Sequence, residues 1–417
     1  MRAIRLENSL REILLASLHR DESRLDPAAL STLTGEEWAI LIDMATRHGV
    51  ASLLYQRLKA PALAGRIPDG VLERLRGLYL NTAACNMRLY EELRALLLAL
   101  GAAGIPVLVL KGAYLAANVY RNIALRPMGD IDILVPKTAA RDALKILKKT
   151  GYELHLPATE EVIPFFGKDM VLKKEGCHFP VEVHWTLTDH KIIINMDELW
   201  KRHQSTSIEG VESAILSFED FLLHICLHAS YHHEFNISLM ALYDITFFIE
   251  QFQKELSWDR FCHHISIYEC SKGIYLILYL AKELAGANVP SKILEILKPT
   301  SLSKAMITAA EYRILHGQDS AAAYSINLIS LWTSGSSIEQ FRIIWRRLFP
   351  SRQEMSYMYP VPPGSLVLYG YYLVRMKDLM RRHGAAAWRL LRGDRELTET
   401  VRQRDALREW LFKPDAR

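Results

Sequence analysis

Gly129-Asp130-Ile131-Asp132-Ile133-Leu134-Val135 constrains this chain more than any other stretch. It is an apolar, β-branched run that carries two carboxylates two positions apart. Strand side chains alternate between faces, so Asp130 and Asp132 are expected on one side and Ile131, Ile133 and Val135 on the other. Such a strand needs a hydrophobic layer beneath it. Above it, two neighbouring like charges call for a cation, and a divalent ion is the usual bridge. Upstream, Ile105-Pro106-Val107-Leu108-Val109-Leu110 reads as a second buried strand and runs into Lys111-Gly112. A Gly-containing turn after a strand lets backbone N–H groups approach a phosphate.

The rest of the chain has helical periodicity. Thr34-Gly35-Glu36-Glu37 is a capping box, and the helix it opens runs through Trp38, Leu41, Ile42 and Ala45 to Gly49. A second helix carries Leu53, Leu54 and Leu58 before Pro61, and a third runs from about Val71 to Leu100. Beyond the Lys111-Gly112 turn, a helix is expected to about Tyr120, a loop to Pro127 and a strand over Met128–Val135. Thr138 caps a helix to Lys149, closed by Gly151. Tyr152–Leu156 and Met170–Lys173 are weak strand candidates; Pro180–Trp185 alternates cleanly. From Ser217-Phe218-Glu219-Asp220 onward the helical period returns, at about 238–253, 258–286, 290–298 and 301–316, with loops at Ser334–Ser337 and at Pro360, Pro362, Pro363 and Gly364. The expected fold class is α+β: a small mixed sheet over residues 102–205, between helical regions at 1–101 and 206–417.

Charge and cysteine usage narrow the function classes. A formal charge of +4 over 417 residues gives no electrostatic reason for nucleic-acid binding. Nucleic acid is a possible partner without support. The C-terminal Arg375–Arg417 holds twelve Lys or Arg against seven acids, which reads as a solvated helical face. Five scattered cysteines with no CxxC pair fit a reducing, cytoplasmic setting. Met1–Leu18 is charged through its apolar stretch and reads as an amphipathic helix, not a signal peptide. No uncharged apolar run reaches the roughly 18 residues of a membrane span.

Further polar residues frame the carboxylate pair. Glu182-Val183-His184-Trp185 lies on the cleanly alternating strand, so Glu182 and His184 share a face. His224 and His228 are four apart and share a helix face, with His232 and His233 close by and Asp244 on the next helix. The bland reading is a His-rich helix hydrogen-bonded to Asp244; the alternatives are a border of an acceptor pocket or a metal site.

These motifs together resemble the nucleotidyltransferase superfamily with a DNA-polymerase-β-like palm, and more closely a broad bacterial family of uncharacterised nucleotidyltransferases. The resemblance rests on Leu110-Lys111-Gly112, Arg126-Pro127-Met128-Gly129-Asp130-Ile131-Asp132, Glu182-Val183-His184-Trp185 and the His224/His228 helix, and it covers roughly residues 40–250. It implies a palm at the sheet. Asp130, Asp132 and Glu182 would be the catalytic and metal-binding residues, for Mg²⁺ or Mn²⁺. Lys111, Gly112 and Arg126 would hold the nucleotide, ATP or another nucleoside triphosphate. His184, His224 and His228 would border the acceptor. The turn reads Gly112-Ala113 where the superfamily commonly has Gly-Ser or Gly-Gly. Phosphate contact therefore falls to backbone N–H groups, Lys111 and Arg126. The implied reaction moves a nucleoside monophosphate to a hydroxyl or phosphate on a small molecule or peptide. A non-catalytic nucleotide-binding scaffold, or a helical interaction protein, is the alternative from another class. A metal-dependent glycosyltransferase is disfavoured because no long α/β region precedes the Asp-x-Asp.

Overall fold

The computed structural model describes residues 2–155, 168–188 and 192–317, and further on 345, 349–352, 355, 359, 364–391 and 395–413, without 353–354. They fall into two compact units: Met1–Glu153 with Phe166–Thr300, and Leu154–Phe165 with Ser301–Arg417. The loops expected at 334–337 and 360–363 lie outside the described residues.

The first unit opens with helices α1 (Arg2–Leu18), α2 (Pro27–Ser31), α3 (Gly35–Arg47), α4 (Ala51–Leu58) and α5 (Asp69–Ala102). The capping box forms as expected: the Thr34 hydroxyl accepts from the Glu37 N–H, and the Glu37 carboxylate accepts from the Thr34 N–H at 2.8 Å. Then come β1 (Leu108–Val109), α6 (Lys111–Tyr114) and β2 (Ile131–Leu134). They are followed by α7 (Ala140–Lys149), β3 (Tyr152–Leu154), β4 (Asp169–Lys174) and β5 (Val181–His184). After α8 (Met196–Lys201), the strands β6 (Gln204–Ile208) and β7 (Val211–Ile215) form a hairpin. Helices α9 (Phe218–Leu227), α10 (Leu239–Gln251), α11 (Trp258–Ile267), α12 (Ser271–Leu280) and α13 (Ser291–Leu297) close the unit. Ser217 caps α9 by accepting from the Asp220 N–H. The other unit contains α14 (Lys304–His316), α15 (Val367–Leu391) and α16 (Arg395–Phe412); α16 packs on α14, and its Trp410 Nε1 donates to Ser301. No helix among the described residues is long and apolar enough to cross a membrane.

The seven strands make one mixed sheet in the order β3-β4-β5-β2-β1-β7-β6. The fold is thus a mixed sheet among many helices, in keeping with the α+β expectation. Ile131, Ile133 and Val135 are fully buried, as the alternation predicted, with Leu108, Val109 and Leu110 beside them. Three expectations change. The second strand begins at Ile131 and not at Met128, so Asp130 precedes it. The helix expected from Gly112 to Tyr120 is a short α-turn that widens into a π-turn, Leu115–Val119. The β6–β7 hairpin was not anticipated; it extends the sheet on the far side of β1.

Candidate active site

Strand pairing builds the site. β1 runs antiparallel to β2, with Leu108 opposite Leu134 and Val109 opposite Ile133. The end of β1 therefore delivers Lys111 to the beginning of β2. β5 runs parallel to β2, with Asp132 beside Glu182 and Leu134 beside His184. Registered neighbours share a face, so Asp132, Glu182 and His184 stand on the same side of the sheet. Their ligand atoms all lie within 4.8 Å of one another.

Asp132 is the hub. It is buried, and its Oδ1 accepts from His184 Nε2 at 2.8 Å and from Lys111 Nζ at 3.2 Å. Burial opposes its ionisation, but the Lys111 ammonium and the His184 hydrogen bond overcome this and hold its carboxyl well below the usual range. His184 has the converse balance: burial pushes its pKa down, and the bonds to Asp132 and Glu182 lift it above the usual value. Its Nδ1 lies 3.5 Å from Asp169 Oδ2 on β4, and its Nε2 lies 3.5 Å from Glu182 Oε2. The ring expected to border an acceptor is turned into three carboxylates and is 2% exposed. Asp169, which faces His184 across the β4–β5 pair, was missed by sequence reading. Glu182 is the more open acid of the pair, with 28% of its side chain exposed.

Asp130 stands outside the mutually close trio and is exposed. Partial removal from water and the adjacent charges of Asp132 and Glu182 lift its pKa to about 6, against the pull of Lys111 and Arg126. The folded state therefore holds this proton to higher pH than the unfolded chain does. As pH rises from the ordinary carboxylate value to about 6, that linkage removes stability. Asp130→Asn is expected to raise the melting temperature at pH 8, with a gain that fades toward pH 4.5. A gain that is flat or reversed over this range in thermal melts would show that like-charge crowding is not what Asp130 experiences.

The turn after β1 is strained. Lys111 has φ 39°, a left-handed conformation that costs a non-glycine residue about 1–3 kcal/mol and recurs at functional sites. Gly112 serves a different need: a Cβ there would sit 2.7 Å from Arg126 Nη1. The glycine lets the guanidinium rest on the turn. Arg126 Nε and Nη2 both bond Asp244 of α10 at 2.8 Å, and Tyr120 donates to the same carboxylate at 3.0 Å. Asp244 thus binds Arg126 and Tyr120, not the histidines that sequence reading paired with it. Two residues of α5 clamp this region from behind. Asn86 Nδ2 donates to the Ile123 and Arg126 carbonyls, and the Tyr90 hydroxyl donates to the Ala113 carbonyl at 2.6 Å.

His224 of α9 and His228, just past its end, lie within electrostatic reach of Asp132. Burial, and then the charge of Lys111, hold both His224 and His228 well below their usual pKa. His224 is 2% exposed, and neither ring nitrogen has a hydrogen-bond partner among the described residues. An unsatisfied buried polar group costs about 1–3 kcal/mol.

The arrangement offers oxygen ligands for a hard divalent ion, a lysine and an arginine at a glycine turn, and a half-open acid. Searches of curated proteins and of solved structures found no match. A family model described as an uncharacterised nucleotidyltransferase matches residues 34–286, which is well over half of the chain and includes every residue of this site. The chain therefore belongs to that uncharacterised nucleotidyltransferase family.

Proposed function

We propose that this protein is a metal-dependent transferase that moves a nucleoside monophosphate from a nucleoside triphosphate to a hydroxyl or phosphate acceptor. The observation that carries the reading is the parallel register of Asp132 and Glu182, with Lys111 bonded to Asp132 at the end of β1. The donor set fits a divalent cation. Two registered carboxylates, with Asp130 raised by partial removal from water and then by like charge, already draw in the Lys111 ammonium and His184 as counter-charges. Asp132 and Glu182, with Asp130 completing the set, would hold Mg²⁺ or Mn²⁺. Bound there, such ions lower the acceptor's pKa and neutralise the departing phosphates.

The chain's own groups do the rest. An acceptor oxygen attacks the α-phosphorus, the bond to the β-phosphate oxygen breaks, and pyrophosphate leaves with the electron pair. Glu182, the more open acid, would either complete the metal set or take the acceptor's proton. Lys111 and the Nη1 edge of Arg126 meet the triphosphate over Gly112, aided by backbone N–H groups of the turn. His184 keeps Asp132 ionised and oriented. The acceptor is a small molecule or a peptide, and the setting is cytoplasmic.

The test is transfer from α-labelled nucleoside triphosphates with Mg²⁺ or Mn²⁺, against small-molecule and peptide acceptor panels. Label is expected to move to acceptor with release of pyrophosphate. Transfer from the γ-position alone would replace this reading with a kinase. Nucleotide binding without any transfer would favour a scaffold.

A further inference from the structure

We propose that His228, His232 and His233 form a transition-metal site, separate from the carboxylates, for a borderline ion such as Zn²⁺. The inference does not depend on nucleotidyl transfer.

The local fold brings these rings together. On an α-helix, position i+4 lies near position i, but i+5 is rotated about 140° away. Here α9 ends in a π-turn, His228–His232, in which the His233 N–H bonds the His228 carbonyl at 3.1 Å. The wider i→i+5 turn places both His232 and His233 against His228. Ring centroids stand 5.3 Å apart for His228 and His232, 4.4 Å for His228 and His233, and 4.8 Å for His232 and His233. One ligand atom from each of the three lies within 4.8 Å of the others. π-turns of this kind sit often at functional sites.

One of the three nitrogen spacings already matches a shared metal. Two nitrogens bound to one tetrahedral zinc at about 2.0–2.1 Å are roughly 3.3–3.4 Å apart. The Nε2 atoms of His228 and His233 are 3.2 Å apart. A hydrogen bond between the two rings would give the same distance, but it gives no reason for the third ring. Three imidazoles favour zinc, cobalt or nickel over Mg²⁺, and they leave a fourth position for water or a substrate group. Lys168 Nζ lies 3.3 Å from His232 Nε2, so a metal ion would compete with this ammonium.

The test is titration of the chelator-stripped protein with Co²⁺, followed by its visible absorption bands, and then displacement by Zn²⁺. One equivalent with tetrahedral bands is expected. The double variant His232→Ala/His233→Ala, at two exposed positions, is expected to weaken Zn²⁺ binding by at least about a hundredfold, beyond what loss of a supporting contact alone produces. Asp132→Asn removes a charge that reaches His228 but no ligand of this site, so it is expected to change binding by less than about tenfold. Lys168→Ala is expected to tighten binding, an outcome that misfolding cannot produce. Absence of tetrahedral bands in the unaltered protein overturns the proposal. Zn²⁺ affinity unchanged in the double variant, lost in Asp132→Asn, or weakened in Lys168→Ala overturns it as well.

Discussion

Asp132→Asn is expected to lower nucleotidyl transfer by about a thousandfold or more while leaving the protein folded. The side chains that converge on Asp132 Oδ1, Lys111 at 3.2 Å and His184 at 2.8 Å, are both cationic or polarised toward it. Asparagine keeps the shape and removes the charge that organises them. Loss of one preorganised electrostatic element typically lowers turnover by about 10²–10³-fold. Here the same atom is also a proposed metal ligand, so the effect lies at the upper end. Stability should report the same pair with a definite sign. His184 is raised in the fold, so its contribution is complete below its unfolded pKa and is lost as pH climbs through the folded one. Asp132 is depressed, so its contribution is present above its unfolded pKa and is lost as pH falls through the folded one. The melting deficit of Asp132→Asn should therefore be largest between the two unfolded values, near pH 5, and smaller at pH 8. Transfer within about threefold of the unaltered protein, measured with α-labelled nucleotide at saturating Mg²⁺, would remove Asp132 from the chemistry.

The parts of this site that could be read in the sequence are those set by strand alternation. Ile131, Ile133 and Val135 had to be buried, and Asp132 had to face away from them. Glu182 and His184 followed by the same period, and parallel pairing then put Glu182 beside Asp132. What was hidden lies where local pattern is silent. Asp130 drops out of the close trio because the strand starts one residue after it. Asp169 sits on a strand whose Lys-rich end masks its alternation. Asn86, Tyr90 and Asp244 act across sequence separations of 23 to 124 residues, through side chains on helices whose apolar stripe is the only local signal. The β6–β7 hairpin turns on Glu209-Gly210, both with positive φ, 50° and 74°. That pair has the backbone signs of a type I′ turn, but glutamate replaces the asparagine or aspartate that usually announces one. The π-turns at Leu115–Val119 and His228–His232 carry no periodic signature, yet the second sets where three histidines meet.

Asp244→Ala is expected to be the most destabilising single change near the site, by about 3–5 kcal/mol, because it strands the half-buried Arg126 guanidinium and the Tyr120 hydroxyl. For a unit of this size that corresponds to a fall in melting temperature of roughly 5–8 °C. Breaking one partner of a buried pair leaves an uncompensated charge, whereas replacing both with apolar groups of similar volume is often neutral. The double variant Arg126→Met/Asp244→Leu is therefore expected to recover most of the lost stability. It should not recover transfer. Arg126 Nη1 lies where a Cβ on Gly112 would meet it, at 2.7 Å, and so presents a cation to the turn that is proposed to hold the triphosphate. Methionine fills that space without charge, and the KM for the nucleoside triphosphate should rise by at least about tenfold in the refolded double variant. Stability and nucleotide affinity thus move in opposite directions across the pair of variants. If both return together in the double variant, Arg126 serves only to tie the Arg121–Pro127 loop to α10, and the positive charge at the phosphate turn comes from Lys111 alone.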